Sequence, residues 1–435
     1  MTNTTLQNKL SVATATSLVI SAMIGTGVFT SLGFQVVDIK SGFSILLLWT
    51  IGGVVAFCGA TAYAELGSVF KRSGGEYNIL KEAYHPALGF IAGWVSVTVG
   101  FAAPASLAAM ALGSYLKVLL PEISENHVAA STVVLLSIIH GSSVKIGSNL
   151  QNATTALKIA LIIIFIIAGF SIETSQSVSV LPAPGSWKEI MSGPFAISLV
   201  YVAYAYTGWN SSIYIVDEID NPRKSLPKSL FAGTAMVTIL YVLLNYIFLY
   251  TVPIEVLAGQ IEVGFLSGNA IFGDVGGTIM AIAISILLIS TVSAYVFLGP
   301  RVSGVMGQDF KALRFLSKTS DKGIPVNAFW FSTVLSLLFI YTSTFEQVLV
   351  YTSFLLILIT TLAVAAVFVV RAKGLGKSED YRTWGYPFTP LIFLLVSLWM
   401  LVFVAIDKPF ESMISCGILI IGFLIYYFVE RQDLQ

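Results

Sequence analysis

Charge is the scarcest property of this 435-residue chain. Asp, Glu, Lys and Arg make up 11% of its residues, against about 25% in a typical soluble domain. Hydrophobic residues make up 56%, and the mean hydropathy is +0.87. A chain of this size has too few charged residues to form a water-exposed surface. The composition therefore predicts an integral membrane protein. A net charge of zero also argues against a nucleic-acid partner.

Cysteine and histidine are scarce as well. Cys58 and Cys416 both lie inside apolar runs, which excludes a disulfide framework and a Cys-x-x-Cys metal site. The three histidines, His85, His127 and His140, stand singly near the ends of apolar segments. No acid–base pair or set of metal ligands lies within an apolar segment, so we expect neither catalysis nor a metal or other cofactor.

The chain has long apolar stretches instead. A membrane-spanning helix needs about 20 mostly apolar residues. Twelve stretches, numbered here as segments 1 to 12, meet this requirement, at approximately residues 12–37, 43–69, 87–119, 128–145, 148–171, 194–218, 229–252, 276–300, 326–343, 346–370, 387–406 and 411–429. The connecting loops are short, so we predict one all-α transmembrane domain over residues 1–435.

The positions of Lys and Arg predict the orientation of the chain. With a cytoplasmic N-terminus, 18 of these residues fall in cytoplasmic loops and termini, and four fall outside: Lys40, Lys117, Lys188 and Lys408. Lys158 belongs to neither group, because it lies inside segment 5. The bias predicts that both termini face the cytoplasm of a plasma or inner membrane.

Two of the apolar segments are interrupted by glycine. Segment 1 contains Gly25-Thr26-Gly27, and segment 6 contains Thr207-Gly208 among aromatic and polar neighbours. A helix can be interrupted inside a membrane where it lines protein or a water-filled cavity. Gly25 and Gly27 could instead only permit close helix packing, but the matching interruption in segment 6 favours two broken helices.

The two interruptions lie five segments apart. Because five is an odd number, segments 1 and 6 enter the membrane from opposite sides. Two similar five-segment units would then be inverted relative to each other, which is typical of a secondary transporter with its site near the bilayer midplane. We expect these repeats at approximately residues 10–171 and 190–371, followed by two extra helices at 387–429.

The interruptions can hold a zwitterion without charged side chains, because the ends of the half-helices carry partial charges. The backbone N–H groups of Thr26 and Gly27 can hold a carboxylate. Freed carbonyls, such as those of Met23, Tyr204 and Thr207, can hold an ammonium group. A ligand that carries both charges on adjacent atoms is an α-amino acid.

At these motifs the chain resembles the amino acid–polyamine–organocation (APC) superfamily of permeases, which have the leucine-transporter fold. MIGTGVF, at residues 23–29, is similar to the interrupted first helix of that family. AELGSVFKRSGGEY, at residues 64–77, is similar to its second helix and the following loop. AYTGWN and DEIDNPRKSLPKSL, within residues 205–230, resemble the sixth helix and next loop of the L-type amino acid transporter branch. The resemblance implies an amino acid permease that works by alternating access.

The resemblance also implies roles for individual residues. Six of them would contact the substrate: Met23, Thr26, Gly27, Tyr204, Thr207 and Asn210. Tyr204 would in addition act as a gating aromatic, and Thr207 narrows the pocket where the L-type branch often has glycine. Eukaryotic L-type relatives are joined by a disulfide to a heavy chain through a cysteine between their third and fourth helices. Residues 120–127 contain no cysteine, so we expect no such partner.

Lys158 has two interpretations. If its helix starts near Ser148, Lys158 lies about 15 Å deep, and its stem could snorkel back to the interface from part of that depth. Ionisable residues inside a membrane are otherwise functional candidates. In the superfamily that the chain resembles, a lysine at this place stands for a sodium ion, which implies sodium-independent transport. Whether Lys158 stays charged or carries protons remains open, and so does the choice between exchange and proton-coupled uptake.

These observations together predict a secondary active transporter of amino acids. Neutral substrates are favoured, because the segments around the site contain no Asp or Glu away from their ends, where they would be embedded in the membrane. The alternatives are an amino acid sensor that binds without net transport and a permease for another small amine, such as a polyamine.

Overall fold

The computed structural model describes residues 9–142, 147–172, 176–321 and 323–430. In these residues the chain is all-helical apart from two isolated β-bridges. Two π-helices cover Ser96–Gly100 and Tyr426–Glu430, and two 3-10 helices cover Ser211–Glu218 and Lys311–Ser317. The α-helices are α1 (Val12–Met23), α2 (Gly27–Thr30), α3 (Leu32–Asp38), α4 (Gly42–Val69), α5 (Glu76–Ala83), α6 (Pro86–Val95), α7 (Ala102–Leu119), α8 (Glu125–Ser142), α9 (Gly147–Gly169), α10 (Ser186–Ile190), α11 (Gly193–Ala205), α12 (Pro222–Thr251), α13 (Ile254–Leu257), α14 (Val263–Asp309), α15 (Val326–Thr342), α16 (Phe345–Ala372), α17 (Phe388–Asp407) and α18 (Pro409–Ile425).

The helices confirm a multi-pass membrane protein. Among the described residues, eight helical stretches are long and apolar enough to cross a bilayer: Val12–Thr30, Gly42–Val69, Pro86–Leu119, Pro222–Thr251, Val263–Asp309, Phe345–Ala372, Phe388–Asp407 and Pro409–Phe428. Shorter apolar helices occupy Ala156–Gly169, Gly193–Ala205 and Val326–Thr342. Each of the twelve predicted segments contains helix in its described part.

The two interrupted segments lie inside the helix bundle. α1 packs against α12 and against the 3-10 helix Ser211–Glu218, whereas α11 packs against α4, α16 and α17. α2 contacts both α11 and α14. The long continuous helices therefore form a scaffold around the two broken ones.

Two continuous segments are less regular than their hydropathy predicts. Segment 3 consists of α6 and α7 joined by the π-helix Ser96–Gly100, and Pro104 lies in the first turn of α7. α14 extends well beyond the predicted residues 276–300 and changes direction at Gly273, where φ is +71°. Neither feature alters the all-helical architecture.

Glu65 joins three parts of the structure on one side of the bundle. Its carboxylate accepts two hydrogen bonds from Arg371 at the end of α16, at 3.0 and 2.8 Å. The backbone N–H and the hydroxyl of Thr383 donate to the same carboxylate at 2.7 and 2.6 Å. Glu65 is 1% exposed, so this is a buried, fully bonded ion pair that anchors a loop.

Candidate functional site

The first interruption separates α1 from α2. α1 ends at Met23 and α2 begins at Gly27, so residues 24–26 lie outside both helices. Ser31, between α2 and α3, keeps helical torsion angles (φ −74°, ψ −21°), so these two helices continue as one half-helix. The first N–H groups of a helix have no partner inside it. Those of the half-helix that starts at Gly27 are therefore donors at the positive end of its dipole.

The second interruption separates α11 from the 3-10 helix Ser211–Glu218. α11 ends at Ala205, and five turn residues follow it. Gly208 lies in this turn with φ at +105°, a backbone conformation that residues with a side chain rarely adopt. The glycine in the Thr207-Gly208 pair is thus required by the path of the backbone.

The two interruptions lie against each other, with a glycine at each contact. A Cβ atom on Gly27 would lie 2.6 Å from Cα of Ala205. A Cβ atom on Gly208 would lie 2.7 Å from the carbonyl carbon and oxygen of Ala22. Each broken helix therefore uses its glycine to bring its backbone directly against the other helix.

Tyr241 of α12 bonds to both broken helices. Its hydroxyl lies 2.6 Å from the carbonyl oxygen of Met23 and 3.2 Å from that of Ala205, so its single proton is shared between these two acceptors. Met23 and Ala205 are the last residues of α1 and α11, where carbonyls lack helical partners. Tyr241 was not predicted from the sequence, where its signal is a tyrosine in the middle of apolar segment 7. A carbonyl oxygen has two lone pairs, so Met23 keeps acceptor capacity for a ligand.

Most of the predicted contact residues lie inside the protein. Five of the six are buried: Met23, Thr26, Gly27, Tyr204 and Asn210. The sixth, Thr207, is partly exposed, as are the break glycines Gly25 and Gly208. The structure thus buries most of the predicted contact residues near the two interruptions and leaves the break glycines partly exposed.

A cavity of about 100 Å³ lies beside the second interruption. It is lined by residues 207–210, by Glu76 of α5 and by residues of α4, α6, α11, α16 and α17, including Thr360. Met23, Thr26 and Gly27 are not among the lining residues. The open space therefore borders the second interruption and does not include the predicted contact residues of the first one.

Glu76 is a residue of this cavity that the sequence analysis missed. Its carboxylate accepts hydrogen bonds from the Asn210 amide at 2.5 Å, the Tyr214 hydroxyl at 2.5 Å and the Tyr63 hydroxyl at 2.9 Å. Glu76 belongs to the GGEY motif in the loop after segment 2, so it reaches the cavity from outside the apolar segments. The neighbouring Tyr77 bonds to a different carboxylate, that of an aspartate in α14, and burial together with that carboxylate raises the pKa of its phenol.

Lys158 is buried, with 3% of its surface exposed. Its helix α9 packs against α14, α12 and α1. A side chain that snorkels to the lipid interface lies on the outer surface of the protein, so this burial argues against snorkelling. On α14, one of the helices that α9 contacts, Ser293 forms a 2.7 Å hydrogen bond with His140.

An aromatic cluster lies on the other side of the crossing point. The ring of Phe34 stacks on that of Phe345 with centroids 5.7 Å apart, and it lies 5.9 Å from the ring of Tyr201. The Tyr201 hydroxyl donates to Glu346 at 2.6 Å, and Lys408 donates to the same carboxylate at 2.8 Å. These contacts join the half-helix after the first interruption and the half-helix before the second to the start of α16.

Known proteins resemble the chain over almost its full length. The model of a family described as amino acid permease matches residues 10–430. The b(0,+)-type amino acid transporter 1 of Mus musculus is 26% identical over 436 residues, which cover 98% of this chain and 88% of that protein. The serine/threonine exchanger SteT of Bacillus subtilis (strain 168) is 25% identical over 438 residues, which cover 98% of each. The large neutral amino acids transporter small subunit 2 of Mus musculus is 25% identical over 432 residues, which cover 97% of this chain and 81% of that protein.

Proposed function

The chain belongs to the amino acid permease family, and on that premise we propose a sodium-independent secondary transporter of neutral amino acids that works by alternating access. It is a transport protein and not an enzyme, and its substrate class is amino acids. Exchange is supported by the relative from Bacillus subtilis, which is a serine/threonine exchanger. Neutral substrates are supported by the relative named for large neutral amino acids and by the uncharged side chains of Thr207 and Asn210.

One observation carries this proposal: the two interrupted helices cross where each is broken. Gly27 lies against Ala205 and Gly208 lies against Ala22. In the proposed site, the N–H groups of Thr26 and Gly27 bind the substrate carboxylate, and the carbonyls of Met23, Tyr204 and Thr207 bind its ammonium group. The carbonyls of Met23 and Tyr204 already accept one hydrogen bond each, from the Tyr241 hydroxyl and from the N–H of Thr207, so they would use their second lone pair. The side chains of Thr207 and Asn210 then face the substrate side chain, and Tyr204 gates the site.

The proposed topology has twelve membrane crossings in one domain. The repeats cover approximately residues 10–171 and 190–371, and two further helices lie within 387–429. An interrupted helix near the start of each repeat supports this layout. The distribution of Lys and Arg, with 18 on one side and four on the other, supports a cell-membrane protein with both termini in the cytoplasm.

Lys158 is proposed to supply a fixed positive charge in place of a sodium ion. Its burial on a helix that contacts α1 supports this role. We also propose that the chain works without a disulfide-linked heavy chain. Residues 120–127 contain no cysteine, Cys58 is buried in α4 and Cys416 lies in α18.

Reconstituted protein tests the function directly. Proteoliposomes are given a panel of labelled amino acids, with and without an internal amino acid, a sodium gradient and a pH gradient. We expect uptake of neutral amino acids that an internal amino acid accelerates and that sodium does not change. Binding without flux would identify a sensor, preferential polyamine uptake would change the substrate class, and a sodium requirement would contradict the role of Lys158.

A further inference from the structure

We propose that Glu76 is a positioning residue that keeps one side of the transport path closed by holding the half of segment 6 after its break, residues 209–218. This inference rests on the proposed transport function, because it names a gate of the same path. In the proposed orientation the gate faces the cytoplasm. The carboxylate connects residues 209–218, which must move when the path opens, with α4, which stays in the scaffold.

The partners of Glu76 come from both sides of this division. Asn210 and Tyr214 belong to the mobile half of segment 6, and Tyr63 belongs to the continuous helix α4. Glu76 is itself 5% exposed and lines the cavity beside the break. At the edge of that cavity its carboxylate therefore joins segment 6 to α4 by direct hydrogen bonds.

The loop before Glu76 lies in direct contact with segment 6. Gly75 has φ at +60°, and a Cβ atom on it would lie 2.2 Å from the ring of Tyr214. Only glycine permits both this backbone conformation and this approach. The loop thus delivers the carboxylate to the face of segment 6 that lines the cavity.

The half-helices on this side of the two breaks are joined and would move together. The N–H of Leu10 donates to the carbonyl of Glu218 at 2.8 Å, and the N–H of Asp220 donates back to Leu10 at 3.0 Å. Further along, the Ser212 hydroxyl donates to the carbonyl of Ala15 at 3.1 Å. Opening the path on this side must therefore separate one combined unit from the loop that carries Glu76.

The hydrogen bonds to Glu76 resist that separation. Because all described partners of the carboxylate are neutral, no cation among them would compensate its charge once these bonds are broken. None of the Lys and Arg side chains in the described part of the chain forms an ion pair with it. A buried anion that loses a donor is left incompletely solvated, which is unfavourable. Breaking the bonds from Asn210 and Tyr214 would leave Tyr63 as its remaining described partner.

The opposite side of the path offers a matched control. There Glu346 accepts hydrogen bonds from Tyr201 of the other half of segment 6 and from Lys408. Glu76 and Glu346 thus bond to tyrosines on opposite sides of one break. If each closes its own side, neutralising one carboxylate must open that side and not the other.

Sided labelling of a reporter cysteine tests this inference. Thr207→Cys, which lines the cavity, is introduced into a Cys58→Ala/Cys416→Ser background, and a membrane-impermeant thiol reagent is added to either face of oriented vesicles. Glu76→Gln is expected to speed labelling from the face that carries the loop of Glu76 by about tenfold, the effect of losing one hydrogen bond to a charged group. Glu346→Gln is expected to speed labelling from the other face.

Equal labelling from both faces in Glu76→Gln, or no change, would overturn the inference. Tyr214→Phe, which removes one donor and keeps the carboxylate, gives the same test if Glu76→Gln does not fold; it should change labelling in the same direction by a smaller factor. Labelling requires no transport. A protein that moves no amino acid would therefore refute the proposed function while this experiment still decides the role of Glu76.

Discussion

The hydroxyl of Tyr241 donates a hydrogen bond of 2.6 Å to the carbonyl oxygen of Met23. A side chain of α12 thereby satisfies the last carbonyl of α1, one of the groups proposed to bind the ammonium group of a substrate. The same hydroxyl lies 3.2 Å from the carbonyl of Ala205 at the end of α11. Tyr241 therefore joins the ends of α1 and α11, the two helices that precede the breaks.

The Tyr241→Phe variant tests this arrangement. It leaves two buried carbonyls without this donor, which costs about 1–3 kcal/mol. We expect a lower thermal unfolding temperature in detergent and a larger rise of that temperature on adding substrate, because the substrate ammonium group replaces the lost donor. Tyr250→Phe, near the end of α12, is the control. A Tyr241→Phe protein with wild-type stability and wild-type substrate response would contradict the assignment.

The contact of Gly27 with Ala205 predicts a sharp difference between two neighbouring glycines. A Cβ atom on Gly27 would lie 2.6 Å from a backbone atom of Ala205, whereas one on Gly25 would have no neighbour closer than 3.9 Å. We expect Gly27→Ala to lose most transport, because the crossing helices must move apart. Gly25→Ala should keep most of it. Exchange rates in proteoliposomes, corrected for the amount of folded protein, measure the difference; equal rates would show that the close contact is not needed.

The sequence predicted the architecture well because membrane solvation constrains it strongly. Scarce charge and long apolar stretches leave few alternatives to helices, and a glycine pair inside such a stretch marks a break. The all-helical membrane protein, the family and amino acid transport are confirmed. Both glycine motifs coincide with places where helices end in the structure.

The sequence could not reveal contacts that depend on which faces of the helices meet. Glu76 looks like an ordinary loop residue until the loop folds against segment 6. Tyr241 looks like one more aromatic residue of an apolar helix, because hydropathy does not tell which side chain faces a break. The extension of α14 to Asp309 was missed for another reason: the charge of Arg301 is typical of a segment end, whereas its guanidinium group lies over the ring of Phe297, 3.6 Å from the ring centroid.

The buried ion pair of Glu65 predicts a large loss of stability on neutralisation. Glu65→Gln removes the partner of Arg371 and weakens the bonds from Thr383, and breaking a buried ion pair costs about 3–5 kcal/mol. We expect a clearly lower unfolding temperature in detergent. Glu379→Gln is the matched control, because the ion pair of Glu379 with Arg223 is exposed and exposed pairs contribute little. Similar losses for both variants would contradict the importance of burial.

Lys158 gives the strongest test of sodium independence. In Lys158→Met the stem is replaced by an apolar chain of similar length, so packing in α9 is kept while the charge is removed. Removing a buried charge often leaves stability unchanged or improved, whereas a cation that stands in for sodium near α1 is needed in every transport cycle. We therefore expect exchange to fall by at least about tenfold, a free-energy loss of about 1.4 kcal/mol, with little change in unfolding temperature. Lys117→Met, at a partly exposed position in the last turn of α7, should leave exchange near the wild-type rate. Normal exchange by Lys158→Met would show that the charge of Lys158 is not needed for transport. Sodium independence would then need another cause.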